Sequence, residues 1–505
     1  MDLFLEGLSQ SINISTILWI IFGSIVGIIL GALPGLTATM GIALMMPLAF
    51  RLPTATGMGL LLAVYCTSIS GASIPAILLG IPGNPNSLAT VDDGLGMTKK
   101  GLAGQALGGA IIASFIGGIG SFLCLILFAP LVAQVTLAFG PAERTTLALV
   151  GLVIIASVSG NNLMKGLLMG AMGMGLALFG TDPYSAQLRI PFAASLATTP
   201  LAKGLDLISA LIGFFGVSQV FAEIWDMRAP QEAVRDVKLQ SLFTPWKKLR
   251  DMWKIILSSL GIGVGIGAIP GPGASIAVFM AHNSAKNIAL SSKGKLDIPG
   301  SGCIEGVFAP EITSNALTGG ALIPTLALGI PGDSATAVLM GALIIKGVTP
   351  GFQLFSANMA LVYAIFITLF LANVAMLVFQ FAGIRLYPKV LKIPKQLLFP
   401  LVLILSLIGA YAIAGQAITV AIYNMGIALV TGLLGYVLKR DGYPIAPIIL
   451  GLILGSMFEE NFRRAVKLAL GDYTVFFTRP ICLLFIALSI LSILLPILSR
   501  RRRRT

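Results

Sequence analysis

Residues 319–332 read GGALIPTLALGIPG, and residues 70–83, far upstream, read SGASIPAILLGIPG. Aligning 71–83 on 320–332 gives nine identities in thirteen positions at a constant offset of 249, with two prolines and three glycines among them. Chance matches between apolar stretches fall on Leu and Ala, not on a shared pattern of helix-breaking residues. A second pair extends the repeat: GALPG at 31–35 is answered by GAIPG at 267–271, an offset of 236. The offset grows by 13 between the two pairs, and the polar, loop-like ALSSKGKLDIPG of residues 289–300 is where that insertion belongs. A Lys-Gly turn follows the second break of each half, KKGLAG at 99–104 and KGVTPG at 346–351. Each half therefore reads as an apolar helix, a Pro-Gly break, further apolar segments, a second break and a turn.

Composition says where such a chain lives. Of 505 residues, 56% are hydrophobic and 10% charged, with a mean hydropathy of +0.96; an ordinary soluble domain is roughly 25% charged. Apolar runs near the length of a spanning helix, about 20 residues, recur at 14–33, 104–128, 145–159, 163–179, 201–225, 361–383, 397–414, 417–438 and 481–498. With the interrupted stretches between them, the expectation is an all-α polytopic membrane protein of about 12 crossings. Its domains are a first transmembrane repeat over 1–225, a basic linker over 226–254, a second repeat over 255–477, and a terminal helix with an arginine tail over 478–505. MDLFLEGLSQ at the start has Asp2 and Glu6 but no base, so it does not read as a cleaved signal, and 14–33 is expected to stay as a membrane helix.

A net charge of +13 in a soluble protein would raise nucleic acid as a partner. Here the charge is concentrated in the linker, with seven basic residues between 226 and 254, and in five consecutive arginines at 500–504. Both read as cytoplasmic under the positive-inside rule, near anionic lipid rather than nucleic acid. An N-terminus without bases and a basic linker place an odd number of crossings in the first half, so the second half starts inside and the repeats are inverted in the membrane. Cys66, Cys124, Cys303 and Cys482 are isolated in apolar sequence and read as small buried hydrophobes.

Pro removes an amide donor and Gly admits backbone that other residues resist, so each Ile-Pro-Gly leaves polar backbone unpaired. Inside a membrane that is tolerated where the break is buried in protein or lines a cavity. Interrupted segments at matching positions of two halves point to a transporter's midplane site; a single break would be a proline kink. A helix starting after each break presents amides carrying about +0.5 of partial charge, suited to a carboxylate without buried arginines. The small polar residues at these breaks are the candidate substrate contacts: Gly35, Thr37, Thr39, Gly83, Asn84, Asn86 and Ser87 in the first half, and Gly271, Gly273, Ser275, Asn315, Gly332, Asp333, Ser334 and Thr336 in the second.

Ionisable groups within the apolar sequence are functional candidates by default. Glu311 and Asn315, four apart on one helical face, are the candidates for the coupling ion, expected to be sodium with the proton as the alternative. Glu305 lies close to the polar insertion and reads as interfacial. Asp333 directly follows a break and reads as a helix cap rather than an ion ligand. His282, the one histidine, reads as a satisfied or exposed side chain rather than a proton relay. Glu143 and Arg144 in FGPAERTTLAL read as a helix start.

Taken together, GALPG and GAIPG, ILLGIPGNPNSLATVDDG followed by KKGLAGQALGGA, EGVFAPEITSNA before LGIPGDSATAVLMGAL, FGPAE and GLILGSMFEENFRRA resemble the large membrane subunit of the tripartite tricarboxylate transporter family. The motifs run from about residue 27 to 464 and cover nearly the whole chain. The resemblance implies a multi-pass subunit of the bacterial inner membrane that works with a small membrane subunit and a periplasmic solute-binding protein. It also implies secondary, ion-gradient-coupled uptake of di- or tricarboxylates, typically citrate-like. A sliding or rocking bundle would carry the breaks, with 104–128 and 361–383 as the stationary frame and any homodimer contact. Enzyme chemistry is not expected: there is no HExxH, no GxSxG and no metal or cofactor motif, and no GxxxxGK[ST] loop for primary transport. A carboxylate uniporter or anion channel is the alternative.

Overall fold

Backbone amides and carbonyls in hydrocarbon must be paired within the chain, and long apolar runs achieve this as helices. The computed structural model describes residues 2–158, 163–182, 185, 187–189, 200–226, 241–270, 273–391, 393–414 and 417–502. Among these residues it is helical, with one isolated bridge between Thr181 and Leu188 in place of any strand. Among the described residues, seven helices are long and apolar enough to cross a bilayer: Ile14–Ala32, Thr54–Leu79, Ala103–Val135, Leu207–Ile224, Met359–Gly383, Gln396–Ile413 and Ile418–Arg440. This is a multi-pass membrane architecture.

Seven is fewer than the dozen crossings expected from the apolar and interrupted stretches, and the breaks explain much of the difference. Ala38–Arg51, with 14 residues, extends about 21 Å, short of the roughly 30 Å hydrocarbon core. Trp253–Ala268 and Ser334–Ile345, which also border breaks, are short for the same reason. Ile304–Leu328 has the length, with 25 residues, but carries two glutamates and a run of Thr, Ser and Asn, and it is buried in protein from Ile304 through Ala327. Burial in protein, not exposure to lipid, is what permits those side chains at membrane depth.

The chain forms two compact units, and neither coincides with a sequence half. The first comprises Met1–Val132 and Glu223–Val402; the second, Ala133–Ala222 and Leu403–Thr505. All the breaks lie in the first unit, in which the sequence repeat becomes a structural one. Ile14–Ala32 packs along Thr54–Gly71 so closely that a Cβ on Gly23 would lie 2.7 Å from the Leu60 carbonyl oxygen. Trp253–Ala268 packs likewise on Ile304–Leu328, where a Cβ on Gly263 would lie 2.6 Å from the Thr313 carbonyl oxygen. Small residues let helix backbones approach where hydrophobic attraction alone cannot hold them in lipid. The end of the basic linker docks on this unit through Lys248, which pairs with Asp297 at 2.6 Å and Glu305 at 3.4 Å; residues 227–240 of the linker lie outside the described residues.

In the second unit Leu163–Ala177 and Ala446–Leu468 meet through glycines, a Cβ on Gly451 falling 2.7 Å from the Met174 amide. Pro141–Val158 starts with Glu143 in its first turn, as its sequence suggests, and the carboxylate pairs with Arg479 at 3.0 Å. Arg189 bridges Asp182 and Glu459 at 3.2 and 2.7 Å, and Arg463 bridges the same two carboxylates at 2.8 and 2.7 Å. Phe458, Phe462 and Phe476 stack beside them with centroids 5.7 and 5.3 Å apart.

Candidate functional site

The two Ile-Pro-Gly breaks are the same object built twice. Each long helix ends on a left-handed glycine, Gly80 at φ 74° and Gly329 at φ 70°, whose amides donate back to Pro75 and Pro324. The next amides, of Ile81 and Ile330, reach the same carbonyls at 3.3 Å each. The chain then runs extended to a new helix start, capped by Asn84 in one half and Asp333 in the other. Each belongs to a capping box, with Ser87 and Thr336 as the reciprocal partners. Gly83 and Gly332 sit where no side chain fits: a Cβ would lie 2.7 Å from Ala72 Cα and 2.8 Å from the Gly31 carbonyl oxygen, or 2.6 Å from Ala321 Cα and 2.7 Å from the Gly267 carbonyl oxygen. The second break of each half is thus wedged against the first.

The first breaks match as well. Leu33 donates to the Leu30 carbonyl at 3.3 Å and Ile269 to that of Ile266 at 3.2 Å. Gly35 takes φ 94°, and a Cβ there would collide with the Glu223 carboxylate. Thr37 caps Ala38–Arg51 by accepting from the Met40 amide at 3.2 Å. Gly273, at φ 75°, opens Gly273–Leu290, with Ser275 half-buried in its first turn. Gly271 lies outside the described residues.

Contacts between the halves are reciprocal. Gly273–Leu290 of the second half packs on Pro85–Thr90 of the first, and Ser334–Ile345 of the second packs on Ala38–Arg51 of the first. Lys346 donates to the carbonyls of Phe50, at 2.8 Å, and Leu52; Lys100 donates to those of Ser301 and Gly302, at 2.7 and 2.9 Å. Leu52 and Ser301 are themselves 249 residues apart, so each lysine meets the other half at the equivalent place. Reciprocal contact of this kind is the mark of a two-fold relation.

The chemistry at the two ends is not equivalent. Asn84 is neutral, and its Oδ1 accepts from the Asn86 amide at 2.9 Å, while the Ser87 hydroxyl receives the Gly83 amide at 3.1 Å. Asp333 accepts from the Thr336 amide and hydroxyl at 2.7 and 2.8 Å, and from the Tyr65 hydroxyl at 2.7 Å. Its capping role, legible in the sequence, is what the geometry shows. Beside it, Thr39 and Ser334 join the two halves through their hydroxyls, 3.2 Å apart. Gly332 donates to the Thr325 hydroxyl at 3.3 Å.

Glu311 is 1% exposed, and its partners are hydroxyls: Thr90 Oγ1 donates to Oε1 at 2.6 Å and Ser114 Oγ to Oε2 at 3.4 Å. Asn315 is brought to Glu311, but through the backbone: its Nδ2 donates to the Glu311 carbonyl at 3.3 Å, while its buried Oδ1 has no donor among the described residues.

The residues that sequence reasoning passed over are those that cross between halves: Tyr65, Thr90, Ser114, Lys100, Lys346 and Asp93. Asp93 is fully buried and accepts from His282 Nε2 at 2.9 Å and from the amides of Gly300, Gly302 and Cys303 at 2.8, 2.8 and 3.1 Å. Burial alone would push its carboxyl up, but the hydrogen bonds from His282 and the amides outweigh it and hold it below the ordinary value. His282 is accordingly a satisfied side chain. Only the recurring Lys-Gly turn gave a signal for any of these, and only for the lysines.

The sequence pattern of the tripartite tricarboxylate transporter TctA family matches residues 17–450. An uncharacterised 52.8 kDa protein of Agrobacterium vitis, named for the TAR-I ttuC' 3' region, is 32% identical over 501 residues, covering 99% of this chain and 96% of its own. A second uncharacterised protein of that organism, named for the TAR-II ttuC' 3' region, is 36% identical over 239 residues, 47% of this chain and 95% of its own. No solved structure matches. With the family pattern spanning most of the chain and the motifs that carry it lying at the paired breaks, the chain belongs to the tripartite tricarboxylate transporter TctA family.

Proposed function

We propose that this chain is the subunit through which di- or tricarboxylates, citrate-like in size and charge, cross the bacterial inner membrane by secondary, ion-gradient-coupled uptake. It works with a small membrane subunit and receives substrate from a periplasmic binding protein. The observation that carries the reading is the pair of equivalent breaks packed reciprocally in one compact unit. Two broken segments related by a two-fold, each offering fixed amides and hydroxyls at membrane depth, suit a ligand that is released alternately to either side. In this reading the chain is two repeats, 1–225 and 255–477, inverted about the linker, with the shorter apolar helices beside the breaks entering the membrane without crossing it alone.

Substrate carboxylates are assigned to Thr39, Asn84, Asn86, Ser87, Ser275 and Ser334, with Gly35, Gly83, Gly271, Gly273 and Gly332 shaping the backbone around them. Thr37, Asp333 and Thr336 hold the new helix starts in place. Glu311 and Asn315 lie on the helix through which the coupling cation acts. The test is uptake of labelled citrate and succinate into proteoliposomes, with a small membrane subunit and a binding protein of the same system added and sodium and pH gradients imposed separately. Saturable accumulation against the carboxylate gradient is expected. Flux that merely follows the anion's own gradient would make the chain a uniporter or channel.

A further inference from the structure

We infer that the driving ion is a proton, carried by Glu311, and that Thr90 relays its binding to the broken segment of the opposite half. The inference rests on the coupled-transport reading above and names the ion and its carrier. Glu311 stands in the middle of Ile304–Leu328, a helix enclosed by protein along its length. Among the described residues both carboxyl oxygens meet hydroxyls and neither meets a cation.

The titratable groups on the elements around that helix are engaged elsewhere or make no bond to Glu311. They are Lys254 on Trp253–Ala268, His282 and Lys286 on Gly273–Leu290, Tyr65 and Cys66 on Thr54–Gly71, Asp92, Asp93 and Lys99 on Val91–Lys99, Cys124 on Ala103–Val135, and Glu305 on the helix itself. His282 holds Asp93, Tyr65 holds Asp333, and Glu305 holds Lys248 and the Asp297 amide. An ionised carboxyl in such a place is strongly disfavoured relative to its neutral form. Two hydroxyls suit the neutral acid as well as the anion. Thr90 continues to donate to Oε1, and a new O–H bond on Oε2 donates to Ser114 Oγ, whose own hydrogen turns to a carbonyl one turn back in its helix. Protonation therefore reverses one hydrogen bond and leaves no group unpaired. The proton arrives from water on the loading side and leaves to water on the other, with no other bond made or broken. A sodium ion would instead need several oxygens converging on one point; among the described residues only the Thr90 and Ser114 hydroxyls do so at the carboxyl, while Asn315 meets Glu311 through Nδ2 on the backbone carbonyl and keeps its buried Oδ1 without a donor.

Thr90 closes the short helix Pro85–Thr90, which begins directly after Asn84. The hydroxyl that senses Glu311 is thus six residues from a proposed substrate contact, on a segment of the other half. Linkage requires that a proton favouring carboxylate binding be favoured by carboxylate in equal measure.

The experiment measures binding of labelled citrate and succinate to the full chain, together with a small membrane subunit of the same system, in nanodiscs. The pH is varied at fixed ionic strength, in sodium and again in choline. Above a midpoint, wild-type affinity should fall by up to about tenfold per pH unit, the limit for one linked proton, and exchanging sodium for choline should change it less than about twofold, within the drift expected of a non-coupled salt. Each probe's own titration is common to all variants, so differences between variants report Glu311. Glu311→Gln should lose that slope, Glu311→Asp should keep it, and Thr90→Val should keep it with a displaced midpoint. Strong sodium dependence, or a Glu311→Gln variant with the wild-type slope, overturns the inference while leaving carboxylate transport standing. If Glu311→Gln does not insert, Thr90→Val decides, an unchanged midpoint overturning the relay. A wild-type chain that binds neither probe at any pH overturns the transport reading, and the inference with it.

Discussion

A side chain at residue 83 or 332 has nowhere to go: on one side stands the Cα of Ala72 or Ala321, on the other the carbonyl of Gly31 or Gly267. Backbone cannot yield as a flexible side chain does, so Gly83→Val or Gly332→Val must push the break out of place. Uptake should fall to background in both, while the variants still reach the membrane; wild-type uptake in either would remove the breaks from the mechanism. Asp93 is a different case, a buried carboxylate on which His282 and three amides converge. Asp93→Asn keeps the size and loses the charge, and leaving such partners unmatched costs about 3 kcal/mol. The sign of its pH dependence follows from the lowered carboxyl. The anchoring is complete above about pH 4, the ordinary value of an unfolded Asp, and is lost as pH falls through the lower folded value. Thermal unfolding of the purified chain between pH 3 and 7 should show an acid limb in wild type that is shallower in the variant.

Elements join across the halves through side chains far apart in sequence, and that decides how much of the site was legible beforehand. The breaks were readable because Pro and Gly act locally and the 249-residue offset repeats them; the cap at Asp333 was readable from its place after a break, while Asn84 was read only as a substrate contact. Tyr65 on Asp333, Thr90 on Glu311 and Asp93 on His282 were not readable. Each joins residues 189 to 268 apart, and which faces meet is set by helix packing that no local pattern encodes. The expected pairing of Glu311 with Asn315 was right about the helical face and silent about the hydroxyls that reach the carboxyl. Thr39 and Ser334, their hydroxyls 3.2 Å apart, give the most direct handle on this junction. In a background without native cysteines, Thr39→Cys with Ser334→Cys should form a disulfide under mild oxidation, since the two side chains already meet. If the first-half helix and the second-half break move relative to one another during transport, the uptake left to the reduced variant, lowered by the loss of two substrate hydroxyls, should stop on oxidation and return on reduction. Uptake unaffected by a confirmed cross-link would show that the two travel as one body.

At the scale of the whole chain, the reciprocity of Lys100 and Lys346 establishes a two-fold relation but not the direction of its axis. An axis along the membrane normal would put both Lys-Gly turns on one side; an axis in the membrane plane would put them on opposite sides. The charge distribution gives an expectation. The linker has seven bases between residues 226 and 254, while the first ten residues have none, so the first half is expected to start outside and finish inside. The second half then traverses the same fold in the opposite sense. Lys99 and Thr349 are exposed beside the two turns and, unlike the left-handed Gly101 and Gly347, accept a side chain without strain. Lys99→Cys and Thr349→Cys, each made singly in a chain without other reactive cysteines, should therefore be labelled by a membrane-impermeant maleimide from opposite faces. One should react in intact cells and the other only in inside-out vesicles. Labelling of both from the same face would make the repeats parallel, and the broken segments would then enter from a common side. In that geometry a ligand held between them could not be passed across by exchanging the roles of the two halves.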